Sequence, residues 1–342
     1  MRLNRDKIIV FLLDNLIWVL LTIAVVTFAL LSDRFLTSKN LVNILVHSSV
    51  LGIMVIGQSF CQLSGNFDLS AESILGLAAI LGAFVIAPAG APFFGSGLQL
   101  NPILTVLIMF VLGILVGWIN GFLVTRMKMN NFIVTLAMLI IIRGLTLVFS
   151  EGKTITGIPQ GFKALGHESL GPLPISVIVL LIAFAVAFVI TRYTRFGRDL
   201  YAIGGNRDAA LASGIDPNRR IRQVYLISGL MAAFAAWMEL GRLGVGATRI
   251  GEGMIFEIQA AAVIGGISLF GGRGNMIGAL GGVLLLSTFN SGLNLMMVSG
   301  FWIDMIRGII ILLAMLIDAQ KTRYKAPVTS QAAVVASESQ GL

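Results

Sequence analysis

Residues 175–190 read ISVIVLLIAFAVAFVI, an uncharged run broken by a single serine. A helix rises ~1.5 Å per residue and the hydrocarbon core of a bilayer is ~30 Å thick, so ~20 such residues make one crossing. A membrane barrel would show short alternating segments, whereas this run and the one at 302–317 stay apolar over several turns. The crossings are therefore helical, because a helix satisfies its own backbone polar groups in lipid.

The rest of the chain agrees. Of 342 residues, 57% are hydrophobic and 12% charged, where soluble domains carry ~25% charged residues. With 24 Lys plus Arg and 16 Asp plus Glu, the charges are too few to clothe a soluble protein of this size. Hydropathy and loop charge together predict an all-α, polytopic membrane protein of about ten transmembrane helices, some discontinuous. The spans fall near 8–31, 41–63, 69–87, 102–125, 132–149, 175–191, 223–241, 256–270, 276–298 and 302–318.

Loop charge sets the orientation. With the N-terminus inside, the inner side holds Arg2, Arg5, Lys7, Arg126, Lys128, seven basic residues within 192–222, Arg273 and three in the C-terminal tail. The outer loops hold only Arg34, Lys39, Lys153, Lys163, Arg242 and Arg249. This asymmetry predicts both termini in the cytoplasm. The basic N-terminal residues precede an apolar run with no small-residue cleavage site, which reads as an uncleaved first helix. The net charge of +8 follows from the same loops, and no basic stretch interleaves with aromatics, so nucleic acid is not an expected partner.

Outside the spans, 150–174 is rich in Gly and Pro and is expected to lie across the outer mouth, with a composition suited to a receptor surface. Residues 1–325 read as one transmembrane domain. The tail 326–342, APVTSQAAVVASESQGL, has no apolar periodicity and is expected to be a disordered cytoplasmic extension. GNFDLSAESILGLAAILGA from Gly65 and GGISLFGGRGNMIGALGGV from Gly265 echo one another weakly, each placing a polar, Gly-containing break between apolar helices. Paired breaks of this kind point to a transport pathway.

Little in the chain suggests catalysis. The GKT of SEGKT at Ser150 lacks the upstream glycine of a phosphate-binding loop, and GVGATRIG at Gly244 lacks the strand and last glycine of a dinucleotide fingerprint. Two histidines, His47 and His167, stand without HExxH, GxSxG or clustered carboxylates. Cys61 is the single cysteine, so neither an intramolecular disulfide nor a thiolate-rich metal site can form. No catalytic residue, metal or cofactor is expected in this chain.

What remains is polarity inside spans. Gln58, Asn120, Asn290 and Asn294 offer donors and acceptors without charge, fit either for helix–helix hydrogen bonds or for a hydroxylated solute. Arg143 and Arg307 fall within spans, where they either snorkel outward or border a water-filled path; Asp304 is placed to pair with Arg307. Many of the 39 glycines, such as Gly113, Gly117, Gly278, Gly281 and Gly282, lie in spans and serve close packing or hinges. In TRFGRDLYAIGGNRDAALASGIDPNRRIR, from Thr194, Asn206 is an N-cap, Asp208 falls in the first turn, and Gly214 ends the helix before Pro217. This is one short helix on the cytoplasmic face, the alternative being a solvated loop.

At these residues a resemblance emerges. GNFDLSAESILGLAA, WINGFLVTRMKMNNFIVTLAMLIIIRGL, TRFGRDLYAIGGNRDAALASGI, AAAVIGGISLFGGRGNMIGALGG and FWIDMIRGIIILLAMLID occur in the order found in permease subunits of ribose-type ABC importers. The chain resembles that family over most of 41–318, departing from it at Asn66, where a second glycine is usual, and at Met129-Asn130-Asn131, where a proline is common. The resemblance implies a permease that forms the translocation path for a monosaccharide or related polyol. It implies cytoplasmic ABC ATPase subunits carrying ATP and Mg, an extracytoplasmic sugar-binding protein, a second permease copy that is identical or related, and a location in the bacterial inner membrane. It makes Asn206, Ala209, Ala210, Ser213, Gly214 and Ile215 the coupling helix that docks in an ATPase groove, with Ala210 presenting a small side chain there. Asp68 and Ser70, with the segment around Gly272, then line or support the pathway beside Gln58, Asn120, Asn290 and Asn294. An ion-coupled secondary transporter is the alternative, and would need ionisable residues at mid-span.

Overall fold

The computed structural model describes residues 15–90 and 92–303, together with 305, 306, 308, 309 and 312. Its helices are α1 (Leu16–Leu31), α2 (Ser38–Leu63), α3 (Ala71–Ile86), α4 (Pro102–Thr125), α5 (Asn131–Ser150), α6 (Ala164–His167), α7 (Ile175–Tyr193), α8 (Arg195–Gly205), α9 (Arg207–Ala212), α10 (Pro217–Leu243), α11 (Met254–Ile264) and α12 (Met276–Leu295). A two-residue antiparallel hairpin, β1 (Ser169–Leu170) with β2 (Leu173–Pro174), lies between α6 and α7.

The starts follow local chemistry. Asn101, Asn130, Thr194, Asn206, Asp216 and Asn275 each accept a backbone N–H of the helix they precede, satisfying donors that the first turn cannot pair. Pro102 and Pro217 occupy first-turn positions, where no N–H is needed.

Among the described residues six helices are long and apolar enough to cross a membrane, and α1, α3 and α11 are shorter. The span expected at 256–270 is corrected: α11 stops at Ile264, because Gly265 and Gly266 turn the chain and 267–275 is irregular. The start of the first span, most of 302–318 with the Asp304–Arg307 pair, and the tail 326–342 lie outside the described residues.

Connections sort onto two faces. Residues 64–70, 126–130, 194–216 and 265–275 meet on one, where Gly272 N–H donates to Leu63 O at 3.0 Å, Tyr201 Oη to Gly274 O at 2.8 Å and Asn131 Nδ2 to Asn66 Oδ1 at 3.0 Å. We call this the α9 face. On the opposite, hairpin face, Ile155 exchanges backbone hydrogen bonds with Gly246, and Thr156 N–H donates to Phe93 O. The segment 151–174 packs closely on that face: Ile155 and Phe162 are buried, and the Phe162 ring lies tilted against Trp237.

α10 runs through the centre, against α4, α2 and α3, and α3 is buried on nearly every side. α4, α5 and α7 turn Ile103, Val111, Ile140, Val148 and Ile182 outward, a surface that lipid suits and water does not. Where α4 crosses α10, Gly113, Gly117 and Gly121 recur every four residues. A Cβ on any of them would run into the backbone of Gly229, Tyr225 or Arg222. Close backbone approach, rather than hinging, is what these glycines provide.

Gly229→Ala places a Cβ against Gly113 O and within 3.3 Å of Gly117 Cα, and overpacking at such a contact costs about 1–3 kcal/mol. A melting curve in detergent should show it several degrees below wild type. Gly144→Ala, with nothing within 4 Å of the added carbon, should match or exceed wild type, since Ala favours helix over Gly.

Candidate functional site

The turn between α2 and α3 builds a polar node inside the protein. Asp68 Oδ1 accepts from Ser70 N at 3.0 Å and Ser70 Oγ at 2.6 Å, while Oδ2 accepts from Ser228 Oγ of α10 at 2.7 Å. Asn120 Nδ2 of α4 donates to Ser70 Oγ at 2.8 Å, and Tyr225 Oη of α10 to Phe67 O at 2.9 Å. Asp68, Ser70 and Asn120 are fully buried. The node therefore ties α4 and α10 to the turn between α2 and α3.

A second polar centre supports an irregular segment. After α10, residues 246–251 descend along α3, with Gly246 beside Ala83 and Gly251 beside Glu72, before α11 begins. Arg143 of α5 lies 3.5 Å from Glu72 Oε1 and donates to Thr248 O at 3.4 Å and Ile250 O at 3.2 Å. The other oxygen, Glu72 Oε2, accepts from Ile255 N at 3.0 Å at the start of α11. Gly76 clears the way, since a Cβ there would sit 3.2 Å from Arg143 Nη1. Arg143 satisfies backbone carbonyls that no helix pairs. Glu72 was missed from sequence, because its partners are distant in the chain.

On the α9 face the short helix forms with Asn206 Oδ1 accepting from Ala209 N at 2.9 Å, and it ends at Gly214, whose φ of +82° suits glycine. Ala209, Leu211, Ala212 and Ser213 are exposed. Ala210 is not: at 3% exposed it faces its own chain, and its carbonyl accepts from Ile215 N. The expectation that Ala210 presents its side chain outward is corrected, because the residue toward the protein must be the small one if so short a helix is to lie close. The segment also holds two helices rather than one. α8, capped by Thr194, buries Gly197, Leu200 and Ile203, and Asp199 pairs with Arg220 of α10 at 2.6 Å. The Thr194 cap and the apolar spacing at 200 and 203 were the available signals.

α8 leads into a glycine junction. Gly65, Gly204, Gly271 and Gly272 bring the end of α2, the end of α8 and the 265–275 segment into backbone contact: a Cβ on Gly271, at φ +89°, would lie 2.8 Å from Gly65 Cα, and one on Gly272 2.7 Å from Gly205 N. The two polar breaks that echo in sequence thus touch in space. The two departures from the family pattern also meet, through the Asn131–Asn66 hydrogen bond.

Two cavities lie at opposite ends. One of about 580 Å³ on the α9 face is bordered by Asn66, Lys128, Asn131, Asn206 and Arg207. The other, about 680 Å³ on the hairpin side, is bordered by Asn40, His47, Arg242, Ser287, Asn290 and Asn294. Of the residues expected along a pathway, Asn290 and Asn294 line a cavity, whereas Gln58, Asp68, Ser70 and Asn120 lie in the protein interior. No group of three or more His, Cys, Asp or Glu able to hold a metal occurs among the described residues.

The bundle of apolar helices defines a multi-pass membrane protein. Residues 40–315 match the family model described as branched-chain amino acid transport system / permease component. The chain belongs to this permease family. It is 39% identical over 304 residues to the ribose import permease protein of Bacillus subtilis (strain 168), covering 88% of this chain and 91% of that one. It is 35% identical to the D-allose transport system permease protein of Escherichia coli (strain K12), covering 87% and 89%, and 32% identical to the galactose/methyl galactoside import permease protein of that strain, covering 94% and 99%. No solved structure matches.

Removing one partner of a buried ion pair leaves the other charge uncompensated, at about 3–5 kcal/mol. Arg143→Met should therefore sharply lower the yield of monodisperse protein in fluorescence-detected gel filtration. Adding Glu72→Gln to it should restore part of that yield.

Proposed function

We propose that this chain is the membrane-spanning subunit of an ATP-driven importer for a monosaccharide or related polyol. It works with a second permease copy, cytoplasmic ABC ATPase subunits that hydrolyse ATP, and an outer sugar-binding protein. The relatives named for ribose, allose and galactose support the substrate class.

The observation that carries the mechanism is the route from α9 to the glycine junction. α9 stands on the face that holds the basic segment 192–222, which is the cytoplasmic side by charge. Its exposed Ala209, Leu211, Ala212 and Ser213 form the docking surface, with Asn206 and Gly214 fixing its ends and Ile215 anchoring it beside Ala210. When the ATPases close, α9 is carried with them. α8 is rigidly joined to it and abuts α2 and the 265–275 segment through glycine backbones, so the displacement reaches both broken elements. In this reading the node at Asp68, Ser70 and Asn120 supports the pathway rather than touching sugar, Gln58 packs within α2 beside it, and Asn290 and Asn294 face solute on the outer side. Both termini are cytoplasmic, and the domain ends at 325.

The ion-coupled alternative asks for ionisable groups free to exchange a cation. Asp68 and Glu72 each accept hydrogen bonds from fixed protein donors, as structural carboxylates do.

The test is Leu211→Glu. Leu211 is 61% exposed on α9, so the change leaves the fold intact while placing a charge in an apolar contact. The variant should express and insert normally, lose ATPase subunits on co-purification, and transport at least tenfold more slowly in proteoliposomes. Wild-type transport with the ATPase still bound would remove α9 from the coupling role.

A second check concerns orientation. In a Cys61→Ser background, Lys163→Cys should react with an impermeant thiol reagent from outside intact cells, and Ser213→Cys only after the cells are opened.

A further inference from the structure

Two helices bring polar stripes to one cavity. On α2, Asn40, Asn43 and His47 are three and four residues apart, and on α12, Ser287, Asn290, Ser291 and Asn294 fall at the same helical spacing. Each set therefore shares one face of its helix. α2 packs on α12, and all of these residues border the cavity of about 680 Å³ on the hairpin side. Asn43 and Asn294 are exposed, His47 and Asn290 are partly buried, and Ser287 is 1% exposed. From Asn294 to Ser287 the cleft follows two turns of α12, about 10 Å.

Contact between the helices does not account for the stripes. Ser291 Oγ donates to Asn40 Oδ1 at 2.7 Å, and Asn40 Nδ2 to Phe35 O at 2.8 Å, which joins the helices at one wall. Ser287 Oγ, by contrast, has no hydrogen-bond partner among the described residues. A buried hydroxyl left in that state costs free energy, and a ligand that pairs it removes the cost.

The charge of the lining narrows the ligand. Among the described residues Arg242 is the one Lys, Arg, Asp or Glu side chain that borders the cavity, and Glu239 accepts from its Nε at 2.8 Å and its Nη2 at 2.6 Å. An ion or a zwitterion finds no fixed counter-charge left over. The lining instead offers amides and hydroxyls, which both donate and accept, interleaved with Val42, Val46 and Leu295. That mixture matches a ring of hydroxyls with C–H faces between them.

We propose that this cavity binds one monosaccharide or sugar-sized polyol within a single permease copy, with Ser287 at its floor and Asn43 and Asn294 at its mouth. This rests on the permease reading above, and it gives the solute a site whose walls are all built from one chain. No aromatic side chain borders the cavity among the described residues, so no ring face stacks on the sugar and binding is weak, in the millimolar range.

The test uses the full chain in lipid nanodiscs with Cys61→Ser as the background. Leu295→Cys, on the cavity wall, should react with a neutral thiol reagent, and millimolar ribose, allose or galactose should slow that reaction severalfold. Ser213→Cys, on the α9 face, should react equally fast with and without sugar. Adding Ser287→Ala to Leu295→Cys should abolish the protection, while the melting temperature without sugar stays level or rises, because the change removes a hydroxyl that has no partner. A purely structural Ser287 would instead lower that temperature and leave the protection intact. Labelling of Leu295→Cys that none of the three sugars slows, or equal protection with Ser287→Ala present, overturns this inference. The permease reading then stands if the wild-type chain, assembled with its ATPase and binding protein, still transports one of those sugars. It falls if that assembly transports none of them.

Discussion

A backbone N–H or C=O shut away from water cannot be left unpaired, and this chain packs the irregular backbone of 244–253 against α3. Everything around that segment answers to the constraint. Arg143 supplies donors to Thr248 and Ile250, Glu72 accepts the Ile255 N–H in the first turn of α11, and Ile155 pairs with Gly246. The two charged side chains also neutralise each other, so the cost of burying either is offset by the other and by the backbone it serves. Burial of α3 on nearly all sides follows, because it must carry Glu72 and flank the irregular segment together.

Glycine does two kinds of work here. Between α4 and α10 it lets two long helices touch backbone to backbone, a contact along a stripe that holds the frame still. At the junction of Gly65, Gly204, Gly271 and Gly272 it lets irregular segments meet at a point, with Gly65, Gly271 and Gly272 at positive φ. A point contact of that kind transmits a push without the side-chain interlock that would resist rotation.

Sequence reading recovered most of the architecture because hydropathy and caps are local. The helices at 102–125 and 175–191 were legible from unbroken apolar runs, and α9 from Asn206 and Gly214. The span at 256–270 was overlong, because hydropathy counts the apolar residues of GGISLFGG without registering that paired glycines stop the helix. α8 escaped notice because its Arg and Asp residues dilute the apolar face that the structure buries.

The sequence by itself determined that this protein lives in a membrane, which ends of its helices carry the basic residues, where a capped helix stands on one face, and which permease family it resembles. These depend on composition and on neighbours within a few positions. Only the tertiary structure decided that Arg143 serves Glu72 and the 246–251 backbone, that Ala210 faces inward, and that the two glycine-rich breaks touch. Each of those joins residues on different helices, or turns on which side of a helix meets a neighbour. That is set by packing in three dimensions, for which one linear sequence carries no local signal.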